Sequence, residues 1–162
     1  MDEAYLAVAG RIRRELEQID GVVDRAQDIW EDVDLDRPAD HRVDAVALNL
    51  HGFYARLEWI FKAIATRVDQ TVPEGGIWHQ ELLKQMIAEL SSVRPPVLSD
   101  EAWKKLDRYR GFRHVVRNVH AFELDPEQID LLMKRLPNAA EQAFGDLHAF
   151  ADTLDRMADS EM

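Results

Sequence analysis

Apolar residues recur along most of this chain at alternating steps of three and four, the period of an amphipathic helix. Between Ala4 and Val33 they fall at Ile12, Leu16, Ile19, Val23, Ala26 and Trp30, spaced 4, 3, 4, 3, 4. So narrow a seam predicts one long helix lying against its neighbours along a single stripe. Gly10 and Gly21 lower its propensity without interrupting the pattern. The Asp-rich stretch from Asp32 to Asp40, with Pro38, breaks the period. A second seam follows at Val43, Val46, Leu50, Phe53, Leu57, Ile60 and Ile64, spaced 3, 4, 3, 4, 3, 4, and runs to about Val68. Two long seams joined by a short polar loop predict an antiparallel helical hairpin.

Thr71 to Gly76, with Pro73 and a Gly pair, is a turn. Helical spacing resumes from Ile77 to Leu90, and Arg94-Pro95-Pro96 stops it. Ser99 is placed to cap the next helix, with Asp100 and Glu101 favourable to the dipole in its first turn. Asp125-Pro126-Glu127-Gln128 supplies a cap, a proline at the first helical position and a capping-box partner. A last helix is expected to about Asp159, kinked or broken at Pro137. No strand alternation, repeat or low-complexity tract appears. The expectation is an all-α bundle on long antiparallel helices, with residues 1–162 as a single domain.

Composition narrows the chemistry. The chain has no cysteine, which excludes a disulfide framework, a zinc–thiolate site and a thiol nucleophile. Met1-Asp2-Glu3 opens no basic-then-apolar leader, and no apolar run approaches a membrane span, so a cytoplasmic location is expected. Asp40, His41 and Asp44, or His148 and Asp152, lack the spacing of a dedicated metal site, and no metal or cofactor is expected. No phosphate-binding glycine loop, nucleophile elbow or His-Glu-x-x-His motif occurs. The net charge of −11 argues against indiscriminate coating of nucleic acid. The charge is uneven, however. Trp103 to Arg117 holds six basic residues (Lys104, Lys105, Arg108, Arg110, Arg113, Arg117) against Asp107, so that window is +5 and the remainder is −16.

That strip continues into the most chemically pointed segment, from Arg110 to Phe122. On a continuous helix Arg113, Arg117 and His120 stand at i, i+4 and i+7, within roughly 60° of one another. Arg110 flanks this face, and His114 and Asn118 lie to its side. A helix ending near Asn118 would leave His120 to be aimed by a loop. Guanidinium beside imidazole suits phosphoryl chemistry on RNA. Arginine grips a phosphate bidentately and stabilises growing charge, and histidine moves a proton to or from ribose or leaving oxygen. On composition alone such a cluster is more often a solvated face or a docking surface for an acidic partner. Elsewhere, Trp78-His79 reads as an aromatic anchor with a helix-start histidine, in core or interface. Glu58, one turn after Tyr54, reads first as making an ordinary hydrogen bond and second as pairing with an arginine near the cleft.

An arginine, a polar residue and then a histidine after four to six intervening positions resembles the signature of the HEPN superfamily. Arg113-His114 followed by His120 fits with six residues between. Leu50 to Phe61, Gly76 to Met86, Phe112 to Arg117 and Phe122 to Asp125 resemble the HepT-like branch, from about Leu48 to the C-terminus, with Ala4 to Val33 as a first helix. The resemblance implies a HEPN-type bundle and a metal-independent endoribonuclease toxin. It implies a homodimer whose facing motifs line one cleft, and a minimal nucleotidyltransferase (MNT) antitoxin as partner. Arg113 and His120 would then be catalytic, with Arg110, His114, Arg117 and Asn118 holding RNA. In many such proteins the motif runs arginine, four residues, histidine, one residue, tyrosine, and the antitoxin adenylylates that tyrosine. Here those positions hold Asn118 and His120, and Tyr109 lies upstream. The alternative is a catalytically inactive HEPN-type module that docks a nucleotidyltransferase or RNA.

Overall fold

In the computed structural model, which describes residues 2–118 and 123–160, the first seam becomes helix α1 (Asp2–Trp30) and the second becomes α2 (Asp40–Ile64). A single π-helical turn, Ala65–Asp69, extends α2. Then come α3 (Trp78–Met86), α4 (Asp100–Asn118) and α5 (Pro126–Ser160). Among the described residues no strand forms, only an isolated bridge between Leu90 and Arg94. None of these helices is long and apolar enough to cross a membrane.

Polar contacts along the seams set the helix directions. Arg42, at the start of α2, donates to the carbonyls of Ile29 and Glu31 at the end of α1, while Arg56 lies 3.5 Å from Glu15 farther back. The two helices are therefore antiparallel, as their spacing predicts. Arg13 pairs with Asp152 and Asp155, and the Trp30 indole donates to Asp130, so α5 runs antiparallel to α1. Ser99 bonds to Asp146 and the Tyr109 hydroxyl to the Leu132 carbonyl, so α4 runs antiparallel to α5. Ser99 and Asp125 cap as expected: the Ser99 hydroxyl accepts the Ala102 N–H, and the Asp125 carboxylate accepts that of Glu127.

Three boundaries differ from the periodic pattern. α1 ends at Trp30, ahead of Val33. α3 ends at Met86 rather than Leu90, because the Met86 carbonyl takes the N–H groups of Val97 and Leu98 from the chain folding back beyond the proline pair. α5 passes through Pro137 without a break. That proline faces solvent, where water can satisfy the carbonyl deprived of its helical donor.

α4 fully buries a narrow stripe, Ala102, Leu106, Tyr109 and Phe112, with Trp103, Val115 and Val116 partly buried beside it. Tyr109 fixes this helix in place. Its ring meets Phe53 edge-on at 5.3 Å, and its hydroxyl bonds to Leu132 at 2.7 Å inside the core. Tyr109→Phe keeps the ring and deletes the bond, so it should cost about 1 kcal/mol. A thermal melt should register this as a fall of roughly 2–4 °C. No change would show that the hydroxyl contributes nothing net.

Candidate functional site

The site is built around a carboxylate that the second seam carries inward. Glu58 follows Leu57 on the buried side of α2 and is itself only 3% exposed. An isolated charge there would cost several kcal/mol, so it needs partners. Two other helices supply them. Arg113 of α4 places Nη1 2.6 Å from Oε1, and His79, at the start of α3, places Nδ1 2.8 Å from Oε2. Nη1 also lies 2.5 Å from His79 Nδ1 and 3.3 Å from Nε2. His79 Nδ1 thus stands between a carboxylate, which can only accept, and a guanidinium, which can only donate.

Stacking fixes the imidazole further. The Trp78 and His79 rings lie 3.4 Å apart at 32°, and the Lys62 ammonium sits 4.0 Å above the Trp78 ring. Below the cluster, Tyr54 is fully buried, and its hydroxyl has no hydrogen-bond partner among the described residues; the same is true of Arg113 Nε. Burial, then the negative charge of Glu58, pushes the Tyr54 phenol well above its usual range.

Above the cluster a cleft of about 260 Å³ opens to solvent. Gly76, Ile77, His79 and Gln80 form one wall; Arg110, Arg113, His114 and Arg117 form the other. Four of the sequence-selected residues of α4 are thus brought together along one side. Arg110 is steadied by Asp107 at 2.7 Å, while Arg117 is exposed and has no ion pair among the described residues. His114 is exposed on the same rim. Asn118 ends α4, and only its backbone is described. His120 lies outside the described residues. His51, two turns before Glu58, is held below its ordinary value by partial burial, then by Arg113 and Arg117, with Glu58 opposing. It therefore adds little positive charge at neutral pH.

Two members of the cluster were not selected by motif. For Glu58 the less favoured of its two readings is the one observed, an ion pair with an arginine of the cleft. His79, read as a helix-start histidine in core or interface, is a mostly buried member of the cleft wall. The available signal was an acidic residue on an otherwise apolar helix face, which demands buried partners. Among the described residues no group of three or more acidic or histidine side chains is placed to hold a metal ion.

A family model described as HepT-like protein matches residues 45–154, more than half of the chain. Searches of curated proteins and of solved structures returned no match. The matched span contains Glu58, His79 and the whole of α4.

Proposed function

This chain belongs to the HepT-like family of the HEPN superfamily, and from that premise we propose that it is a metal-independent endoribonuclease, the toxin of a HepT/MNT-type pair. The observation that carries this reading is the Arg113 guanidinium, clamped by a buried carboxylate at the base of a solvent-open basic cleft. Glu58 occupies Nη1, and Nη2 makes no hydrogen bond to another described residue, which leaves donors for a phosphate oxygen. A guanidinium held in advance loses little freedom as charge grows on the scissile phosphate.

In this mechanism the ribose 2′-oxygen attacks phosphorus while its proton passes to a base, and the bond to the 5′-oxygen breaks as an acid protonates that oxygen. The nucleophile comes from the substrate, so neither a metal nor a protein nucleophile is required. His120 is the proton carrier that the motif assigns, and a homodimer would bring two copies to one cleft. Arg110, His114, Arg117 and Asn118 would hold flanking phosphates and bases. Neutralisation by a nucleotidyltransferase would need a route other than a motif tyrosine, since Tyr109 is 1% exposed and its hydroxyl is engaged.

Incubating the purified chain with RNA tests the reading. Products should carry 2′,3′-cyclic phosphate ends, and His120→Ala should lower the rate by about 10²–10⁴-fold. Equal cleavage by parent and variant would remove this histidine from the mechanism. Intact RNA with the parent, together with stable co-purification of a nucleotidyltransferase, would favour the non-catalytic module instead. Asn118 at the usual histidine position and the net charge of −11 are the observations on that side.

A further inference from the structure

A second groove lies on the α1–α2 side of the molecule, and its composition runs against the acidity of the chain. It encloses about 440 Å³ between Arg11 of α1 and Trp59, Lys62, Ala63, Thr66 and Arg67 along α2 and its π turn. From Trp59 the other positions follow at i+3, i+4, i+7 and i+8, so they share one face of the helix. No carboxylate lines the groove, and Arg11, Lys62 and Arg67 form no ion pair among the described residues. Outside the α4 strip the chain carries −16, so three unneutralised cations together are a local reversal of charge. Trp59 stands 53% exposed among them, although an indole is ordinarily covered.

We propose that this groove binds single-stranded RNA, with a base stacked on Trp59 and the adjoining phosphates held by Arg11, Lys62 and Arg67. Every base offers a π face and every nucleotide a phosphate, so an indole flanked by cations takes such a strand without reading its sequence. A carboxylate-rich protein surface would match the charge but leave the flat indole face unused. Two ring contacts link the groove to the wall of the Arg113 cleft. Lys62, one of its cations, lies over Trp78, and Trp78 stacks on His79 in the cleft wall. A strand seated on Trp59 and Lys62 therefore lies two ring contacts from the cleft wall that carries His79. The proposal extends the RNA reading of that cleft without requiring that the chain cut.

The test is binding of a short 2′-O-methyl oligouridylate, which has no free 2′-hydroxyl and so stays intact, read by fluorescence anisotropy across a salt series. Trp59→Ala should weaken binding about tenfold. The double variant Lys62→Glu/Arg67→Glu should weaken it further and flatten the log–log salt slope by about 1.4 or more, as expected for two lost phosphate contacts. These side chains are exposed, so melting temperatures should stay with the parent. The proposal is overturned if the parent does not bind, if Trp59→Ala binds as tightly as the parent, or if polyglutamate displaces the RNA with an affinity indifferent to Trp59. The last outcome would assign the groove to an acidic protein. Failure here leaves the effect of His120→Ala on cleavage untouched, so the two readings fall separately.

Discussion

Arg113→Ala should lower RNA cleavage by at least about 100-fold, the loss typical of removing one preorganised donor from developing negative charge. The site makes that variant doubly costly. It deletes the phosphate-binding cation and leaves Glu58 buried with His79 as its remaining partner. Breaking a buried ion pair from one side costs about 3–5 kcal/mol, and less where a second partner stays. A drop in melting temperature is therefore expected alongside the loss of rate. Arg113→Lys separates the two effects: the charge returns, but the planar fork does not. Its stability should recover most of the way while cleavage remains well below the parent. Cleavage by Arg113→Ala at the parental rate would end the phosphate-stabilising role.

Asp69→Ala should be the most destabilising of the single substitutions considered, by about 3–5 kcal/mol. Both side chains of the Asp69–Arg94 pair are fully buried. Arg94 Nε and Nη2 reach the two carboxylate oxygens at 2.6 and 2.8 Å, and Nη1 donates to the Ala88 and Pro95 carbonyls. Gln85 closes the knot by bridging Asp69 Oδ2 and the Thr71 carbonyl. Removing the carboxylate strands a guanidinium with no route to water. For a chain of this length the melting temperature should fall by roughly 10 °C. Asp69→Leu combined with Arg94→Met should regain much of the loss, because deleting both charges removes the desolvation problem. A loss under about 1 kcal/mol for Asp69→Ala would mean that the region opens and hydrates the arginine.

The hairpin of α1 and α2 and the caps at Ser99 and Asp125 were legible because each depends on residues close in sequence. Arg113 was legible as part of a motif on one helix. Its anchor was legible only as the second reading of Glu58, since Glu58 and His79 stand 55 and 34 residues away on other elements, and no local pattern joins the three. Arg94 reads in sequence only as a helix stop before two prolines, yet its guanidinium ties the end of α3 to the π turn. That turn was also invisible. Gln70 closes it in a left-handed conformation, at φ 58°, a geometry settled by tertiary packing rather than propensity. Pro137, read as a kink or a break, does not break α5, because it faces solvent and the carbonyl it deprives of a donor can turn to water.

The single carboxylate shared by α3 and α4 makes those helices mechanically interdependent. α3 spans nine residues and presents Ile77, 59% exposed, at its leading edge. Any outward swing of this short rod pulls the imidazole from Glu58 and slackens the seat of the guanidinium. Whatever presses on Ile77 at the cleft wall is therefore felt at Glu58 as well.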